Sequence, residues 1–316
     1  MNIPFISIII TTRNRKKDIS ECIESILSSN YSNYEIILVD NASEDDTVEM
    51  IEQKFPYVKI VKNDKNLGIA GGRNIGTSLA KGDYILFLDS DTIIDKNMLG
   101  ELINVIKKEK RIGIVVPKMY FLESPNLIWY AGAKVNLLTS RTYNIGVYEI
   151  DYGQYDKICE TSHGPTAFLC SRELINKIGE HNEEYFMSYA DLDFAIRAKK
   201  EGFKVLYVPT AKLWHKISVG RNRTPIRDLL GTFPYRAYYF ARNRFIFMKK
   251  NVPLINFLFF FIFFAPLFTV VYVIRIIWYR KWKYLNMYLK GAKDGICYVF
   301  TNRNKKVILD EEENKK

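Results

Sequence analysis

Two carboxylates separated by a single residue, Asp89 and Asp91, follow the hydrophobic run 84–88. Acidic side chains this close repel one another unless a cation lies between them, and a divalent ion that prefers hard oxygen ligands, Mg²⁺ or Mn²⁺, would relieve that repulsion. Such an ion could also hold a diphosphate. In an irregular loop the same pair is usually a solvated turn or a helix cap. Because the pair follows a strand-like run here, we interpret it as a ligand site.

A further carboxylate, Asp40, ends the hydrophobic run 34–39 and could accept hydrogen bonds from a base or a ribose. Its alternative role is to cap the helix that follows Ser43. The glycine-rich segment 66–76 leads into a helical pattern, where glycines let the backbone come close to a ligand and Arg73 offers a forked donor for phosphate or carbonyl oxygens. The segment is neither a Walker A loop nor a dinucleotide fingerprint, because its spacing fits neither motif.

The elements that must position these residues alternate along the first part of the chain. Short runs rich in Ile, Leu and Val are typical of parallel strands buried on both faces, and they lie at residues 5–10, 34–39, 58–61, 84–88 and 112–116. Longer stretches with helical periodicity separate them. The alternation predicts βαβ units, in which ligands bind at the carboxyl ends of the strands. The acidic residues described above follow such strand ends.

The second part of the chain, from residue 117 to about residue 250, has weaker periodicity and mixes aromatic residues, glycines and short strand-like runs. This pattern is typical of a less regular α+β arrangement. A helix is expected over residues 191–200, with its end at Gly202. Residues 204–208 should then form a strand that Pro209 closes.

The balance of charge and the cysteines narrow the class of protein. The 316 residues carry 46 Lys and Arg against 35 Asp and Glu, and the formal net charge of +11 suits an anionic partner such as phosphate, nucleic acid or an acidic membrane leaflet. The four cysteines include no C-x-x-C pair, which disfavours a disulfide framework or a zinc finger and favours a reducing compartment. The first residues lack a basic region and a cleavage site, so we interpret them as a strand and not as a signal peptide.

A hydrophobic segment follows Pro253. Residues 254–274 include no charged side chain, and about 20 apolar residues suffice to cross a bilayer. A buried core helix is the alternative, although the run is longer than is usual for one. Pro266 permits a kink, and basic residues flank both ends, so the segment could span the membrane, re-enter it or lie in its interface. Aromatic and basic side chains continue the pattern, and we expect membrane contact over residues 254–284.

Four ordered motifs together resemble those of the family 2 glycosyltransferases, which have the GT-A fold. They occupy residues 11–15, 38–43, 66–76 and 87–91. Segments of the second part look like the rhamnosyltransferase-like branch of the family, and they lie at residues 164–169, 185–194, 209–216 and 242–244. The resemblance covers about residues 5–250. It implies an α/β fold in which helices flank a mostly parallel central sheet, and a hydrophobic C-terminal segment is also familiar in that branch.

The resemblance implies an inverting transfer of a sugar from a nucleotide-sugar donor to an acceptor hydroxyl, assisted by Mn²⁺ or Mg²⁺. The residues that match nucleoside-binding positions are Thr11, Thr12, Asp40 and Arg73. Asp89 would contact the ribose or the metal ion, and Asp91 and His215 would be ligands of the metal ion. The basic segment 216–223 could fold over the leaving group as a lid.

An inverting displacement needs a base on the far face of the sugar, within reach of the acceptor hydroxyl. Asp191 is the candidate, because it matches the second member of the family's Glu-Asp pair. Ala190 stands where that Glu would be, so the pair is reduced to its second member, and Asp193 is the nearest substitute for the missing acid. Alternatively, Asp191 only caps the helix that follows it.

These interpretations divide the chain into four parts. Residues 1–116 would form the nucleotide-sugar-binding half and residues 117–250 the acceptor-binding half of one GT-A domain. A membrane-associated helical segment over residues 251–301 and a polar tail over residues 302–316 would follow.

The leading hypothesis is a membrane-associated glycosyltransferase whose catalytic domain lies at the cytoplasmic face, where nucleotide sugars are made. Its acceptor would be a lipid-linked or cell-surface glycan. One alternative is a polyprenyl-phosphate sugar synthase, and another is a membrane scaffold that binds nucleotides with little turnover. Nucleic acid is not expected as a partner, because the positive charge clusters beside the apolar segment and in no recognisable reader module.

Overall fold

The computed structural model describes residues 3–217 and 233–304. The predicted lid over residues 216–223 and the predicted tail over residues 302–316 therefore lie mostly outside the described residues. The first elements along the chain are β1 (Ile6–Thr12), α1 (Lys16–Leu27), β2 (Tyr34–Asp40), α2 (Thr47–Lys54), β3 (Lys59–Lys62), α3 (Gly68–Leu79), β4 (Tyr84–Asp89), β5 (Thr92–Ile94) and α4 (Met98–Ile106).

The later elements mix strands and helices, as the weaker periodicity predicts. The strands are β6 (Ile112–Phe121), β7 (Ser124–Tyr130), β8 (Ala133–Asn136), β9 (Arg141–Asn144), β10 (Cys159–Glu160), β11 (Ala167–Ser171) and β12 (Lys204–His215). The helices are α5 (Arg172–Ile178), a 3₁₀ turn (Glu183–Tyr185), α6 (Ala190–Lys200), α7 (Pro234–Asn251), α8 (Leu254–Phe259), a π-helical turn (Phe260–Phe264), α9 (Ala265–Trp278) and α10 (Trp282–Thr301).

The central sheet has the strand order β10-β12-β6-β11-β4-β1-β2-β3. β4, β1, β2 and β3 run parallel to one another, and β6 runs parallel to β12. β11 is antiparallel and lies between β4 and β6. The five strands predicted from the first part of the sequence are therefore confirmed, but a strand from the second part separates the fifth from the others.

The glycine-rich segment lies mostly within α3. A Cβ atom at Gly72 would lie 2.8 Å from Cγ2 of Thr11, and one at Gly76 would collide with the side chain of Ile9. Real Cβ atoms do not approach other atoms this closely, so only glycine lets α3 pack at this distance from β1. The close backbone approach that the sequence assigned to a ligand is thus made to a strand of the sheet.

β12 is longer than the sequence predicts. The sequence indicates that Pro209 closes this strand, but β12 continues to His215. Its pairing with β6 shifts register between Val208 and Lys212, and this irregularity accommodates the proline, which has no N–H to donate. The prediction of a strand end at Pro209 is therefore wrong, and the additional length brings His215 opposite Thr92 of β5.

The chain divides into two compact units. The first contains the described residues up to 135, together with 142–182 and 191–217. The second contains residues 136–141 and 183–190 together with the described residues from 233 onwards, and so includes α7 to α10. Within the second unit, α7 and α10 pack so closely that a Cβ atom at Gly291 would collide with the carbonyl group of Tyr238.

α8, the π-helical turn and α9 form one helix, Leu254–Trp278, that by length and composition is able to cross a membrane. Many of its large apolar side chains are exposed, among them Leu254, Ile255, Ile262, Phe263, Leu267, Val270 and Ile274. A core helix of a soluble protein would bury such side chains. Their exposure favours membrane contact over the core-helix alternative.

Candidate active site

The register of the parallel strands brings several predicted site residues to one edge of the sheet. Thr12 of β1 lies opposite Asp40 of β2, and Thr11 lies opposite Asp89 of β4. The hydroxyl oxygen of Thr12 is buried and has no hydrogen-bond partner within the described chain. These carboxyl ends of parallel strands are where an α/β sheet binds its ligand.

Asp40 is 3% exposed and accepts hydrogen bonds from both the backbone N–H and the hydroxyl of Ser43. The carboxylate that accepts from the first turn of α2 belongs instead to Asp45, whose Oδ1 lies 3.2 Å from the backbone nitrogen of Thr47. Asp40 therefore stabilises the loop after β2, whereas Asp45, which precedes the helix, accepts a hydrogen bond from its first residue.

Arg73 joins two of the predicted acidic residues. Its side chain is 1% exposed, one terminal nitrogen lies 3.2 Å from Oδ1 of Asp89, and the other donates to Oδ1 of Asp191. The guanidinium also lies 5.5 Å from the ring centroids of both Phe87 and Phe168. A buried charge is stable only when it is paired and hydrogen-bonded, and this arrangement satisfies Arg73 within the protein.

The environment of Asp89 makes its carboxyl group a weaker acid than an ordinary aspartate. Burial raises the pKa of Asp89 to about 6, the neighbouring Arg73 cation opposes this shift, and the carboxylates of Asp91 and Asp191 add to it. A further cation beside Asp89 would therefore stabilise the charged form of this carboxyl group.

Asp91 and His215, two residues predicted to be metal ligands, lie side by side. His215 Nε2 is 3.1 Å from Oδ1 of Asp91, and Nδ1 of the same imidazole is buried without a hydrogen-bond partner in the described chain. Burial by itself would raise the pKa of Asp91, but the hydrogen bond to His215 lowers it. The contact depends on the additional length of β12, which pairs with β5.

The residues present fit a divalent cation that is shared with a substrate. Within residues 3–217 and 233–304, no group of three or more His, Cys, Asp or Glu side chains is arranged to hold a metal ion. Mg²⁺ is usually bound by only one or two carboxylates together with substrate phosphates and water. Asp91 and His215 would supply such a partial set of ligands, with the carboxyl group of Asp89 beside it.

Asp191 lies in the first turn of α6 and keeps one carboxylate oxygen available. Arg73 occupies Oδ1, whereas Oδ2 accepts no hydrogen bond from any residue that the structure describes. Asp193, the possible substitute for the missing acid, is 2% exposed and accepts a hydrogen bond from Nε of Arg197 at 2.9 Å. Asp193 therefore pairs with Arg197 within its own helix, and its role as a substitute for the missing acid stays a prediction.

The segment that leads into Asp191 has a strained backbone. Phe186, Ser188 and Tyr189 have φ angles of 58°, 54° and 67°. These angles lie in the left-handed region, which costs free energy for residues other than glycine and persists only where the surrounding structure enforces it. The conformation before Asp191 must therefore be held by neighbouring groups.

Asn243 of α7 is one of the groups that hold this segment. Its fully buried amide nitrogen lies 2.8, 2.6 and 3.1 Å from the carbonyl oxygens of Tyr185, Met187 and Ser188. The adjacent Arg242 donates to the carbonyl oxygen of Glu184. Sequence reasoning missed this role, because residues 242–244 were marked only by a family resemblance and no local pattern connects them to Asp191.

Comparison with protein families identifies a match over residues 7–179 to the model described as "Glycosyl transferase family 2". Among curated proteins, the chain is similar to the Escherichia coli UDP-Glc:alpha-D-GlcNAc-diphosphoundecaprenol beta-1,3-glucosyltransferase WfaP, with 28% identity over 221 residues that cover 68% of this chain and 78% of WfaP. It is also similar to the Streptococcus pneumoniae glycosyltransferase GlyG, with 36% identity over 118 residues that cover 36% of this chain and 39% of GlyG.

For several of the most similar curated relatives, the chain spans only 27 to 43% of their length. Among solved structures, it is similar to the mannosyltransferase PcManGT from Pyrobaculum calidifontis in complex with GDP-Man and Mn²⁺, with a TM-score of 0.54 and 14% identity. That alignment covers 95% of this chain and 88% of PcManGT. The likeness confirms the predicted fold, a mostly parallel sheet flanked by helices.

Proposed function

The chain belongs to glycosyl transferase family 2. From this premise we propose that it moves a sugar from a nucleotide diphosphate donor to an acceptor hydroxyl with inversion at the sugar carbon. The observation that carries this proposal is the convergence of Asp89, Asp91 and Asp191 on two basic side chains, Arg73 and His215. The strand ends with Thr11, Thr12 and Asp40 would bind the nucleoside beside that cluster.

The donor would be held at the end of β4. Asp91 and His215 would bind Mn²⁺ or Mg²⁺, with Asp89 contacting the ion or the ribose. The bound ion would neutralise the charge that grows on the departing diphosphate. Arg73 would keep Asp89 and the base Asp191 at a fixed separation, because its guanidinium is bonded to both.

Asp191 would act as the general base. Arg73 fixes its Oδ1, so Oδ2 is the oxygen that would accept the proton of the acceptor hydroxyl. As this proton transfers, the acceptor oxygen would form a bond to the anomeric carbon from the face opposite the diphosphate, and the bond from that carbon to the phosphate oxygen would break. Inversion follows from a single displacement of this kind.

The acceptor is proposed to be a glycan on a lipid carrier at the cytoplasmic face of a membrane. The exposed apolar helix Leu254–Trp278 supports membrane attachment. The similarity to WfaP, whose name specifies a diphosphoundecaprenol acceptor, supports the class of acceptor. Removal of residues 251–316 should therefore reduce transfer to a membrane-bound acceptor far more than it reduces donor binding.

The test is a panel of nucleotide sugars, assayed for metal-dependent release of the nucleoside diphosphate in the presence of a membrane extract as acceptor. Asp91→Asn should abolish release and donor binding. Asp191→Asn should bind the donor as the parent does but transfer about 10² to 10⁴-fold more slowly. Asp46→Asn, at an exposed position, is the matched control.

Two outcomes would contradict the proposal. Equal transfer by Asp191→Asn and the parent would exclude Asp191 as the base. Tight nucleotide binding without release for any donor would favour the scaffold alternative, for which Ala190 at the family's Glu position is the supporting observation.

A further inference from the structure

A buried arginine in the second unit has no acidic partner among residues 3–217 and 233–304. Arg244 of α7 is 6% exposed, and only its Nε makes a hydrogen bond, at 3.3 Å to the hydroxyl oxygen of Tyr189. Its two terminal nitrogens make no hydrogen bond or ion pair with any residue in the described part of the chain. Neither terminal nitrogen is completely shielded from solvent.

The surroundings of Arg244 are aromatic. Its guanidinium carbon lies 4.6 Å from the ring centroid of Phe240, 4.9 Å from that of Phe268 and 5.6 Å from that of Tyr272. The hydroxyl groups of Tyr272 and Tyr288 are also within electrostatic range of the cation. Aromatic faces stabilise a cation only modestly and supply no acceptor for its remaining N–H groups.

This combination is suited to an oxyanion that comes from outside the protein. Burial of a charge is costly unless the charge is paired. A guanidinium presents its N–H groups as a planar fork, which matches the oxygens of a phosphate. Arg73, in the first unit, is also buried, but two carboxylates already occupy its fork. No residue that the structure describes occupies the fork of Arg244.

We propose that Arg244 binds a phosphate group of the lipid carrier to which the acceptor glycan is attached. Two of the rings around the cation, Phe268 and Tyr272, belong to α9, whose outward apolar side chains could accompany the hydrocarbon chain. Tyr189, which is hydrogen-bonded to Arg244, precedes Asp191 by two residues. This inference rests on the proposed function, because the carrier is a substrate only if the protein is a transferase.

The experiment measures binding of farnesyl diphosphate to the full-length protein in detergent by calorimetry, with EDTA present so that a metal-bound diphosphate at Asp91 does not contribute. Farnesol, inorganic diphosphate and phosphatidylglycerol vesicles are the comparison ligands. Arg244→Gln and Arg244→Lys are the test variants. Arg236→Gln, which removes an exposed cation from the same helix, is the matched control.

Farnesyl diphosphate should bind more tightly than farnesol, inorganic diphosphate or phosphatidylglycerol. Arg244→Gln should weaken that binding at least about tenfold, because two charge-assisted hydrogen bonds are lost. Arg244→Lys should lose less, since it keeps the charge without the fork. Arg236→Gln should bind as the parent does. Mn²⁺-dependent nucleotide binding should be the same in all variants, and the thermal midpoint of Arg244→Gln should fall only slightly, as expected for the loss of a cation among aromatic rings.

Several results would overturn the inference. One is that farnesol, inorganic diphosphate or phosphatidylglycerol binds as tightly as farnesyl diphosphate. Another is that Arg244→Gln binds farnesyl diphosphate as the parent does. A third is that the thermal midpoint and the nucleotide binding of Arg244→Gln fall together with its lipid binding, which would show a structural role. Failure of the proposed function is a separate observation, since the parent would then release no nucleoside diphosphate from any donor sugar in Mn²⁺.

Discussion

Arg73 in the first unit and Arg244 in the second are both buried, and their side chains are in opposite electrostatic situations. Arg73 is bonded to Asp89 and Asp191, so its charge is balanced within the protein. Arg244 is surrounded by aromatic rings, and the described residues include no carboxylate that pairs with it. Arg73 therefore holds the acidic residues of its site in place, whereas Arg244 is suited to bind an anion from outside the protein.

Another buried cation, Lys118, is paired with carboxylates as Arg73 is. Lys118 of β6 is fully buried, and its Nζ lies 2.8 Å from Asp151 and 2.6 Å from Asp156. It follows the same rule as Arg73, namely that a charge is buried together with its counter-charges. Arg244 departs from this rule, and the stability of variants at the three positions tests the difference.

The largest expected effect compares the unfolding of Arg73→Met and Arg244→Met. Arg73→Met should lower the free energy of unfolding by about 3–5 kcal/mol, because Asp89 and Asp191 are left as neighbouring, partly buried carboxylates. Arg244→Met should cost only about 0.5–2 kcal/mol, the range for a cation among aromatic rings. Urea unfolding in one detergent, followed by circular dichroism, measures both.

Lys118→Met is the control for this comparison, and its loss of stability should resemble that of Arg73→Met. Equal losses in Arg73→Met and Arg244→Met would remove the distinction between a balanced and an unbalanced arginine.

A smaller effect is expected when Asn243 is changed to Leu. The variant keeps the approximate size of the side chain but leaves the carbonyl groups of Tyr185, Met187 and Ser188 without their donor, at a cost of about 1–3 kcal/mol. The strained segment before Asp191 should then relax, so kcat for transfer should fall while the affinity for the donor stays the same. Steady-state kinetics together with donor titration separate these effects. An unchanged kcat would show that Asp191 is positioned without α7.

A further effect, which depends on pH, concerns Asp151, one of the two carboxylates that pair with Lys118. Burial alone would raise the pKa of Asp151, but hydrogen bonds from Lys118 and Tyr120 lower it to about 2. The stabilisation from a lowered carboxyl pKa is complete above the unfolded value of about 3.9 and is lost as the pH falls towards about 2. Asp151→Asn should therefore be less stable than the parent at neutral pH by about 1–3 kcal/mol.

Thermal unfolding over a pH series provides the measurement for Asp151→Asn. Its deficit relative to the parent should shrink between about pH 4 and about pH 2. A deficit that is independent of pH would mean that the carboxylate charge contributes nothing to this cluster.

The sequence predicts the parallel strands and the edge of the sheet at which the acidic residues gather, because a buried parallel strand needs a continuous apolar run and ends where polar residues begin. The family predicted from the motifs is confirmed. The rhamnosyltransferase-like branch and the roles of the individual site residues stay predictions. His215 lies beside Asp91 on a strand that was predicted too short, and its role as a metal ligand stays a prediction.

Other features depend on contacts between distant parts of the chain, which local patterns do not encode. The partners of Arg73 are an example, since Asp191 is far away in sequence and nothing near Arg73 specifies it. The packing of Gly76 on Ile9 and the support of Tyr185 by Asn243 are of the same kind. In each case the sequence shows which residue is present, but the tertiary fold determines which residue it contacts.

The insertion of β11 between β4 and β6 has a consequence for synthesis on the ribosome. β4 is made early, but the strand that covers its outer edge begins only at Ala167. Until that residue emerges, the nascent chain presents the open hydrogen-bonding edge of an otherwise formed parallel sheet, and such edges recruit strands from other chains. The first half of this protein therefore needs the second half to protect it, and a chain truncated before Ala167 should aggregate instead of folding as an independent nucleotide-binding domain.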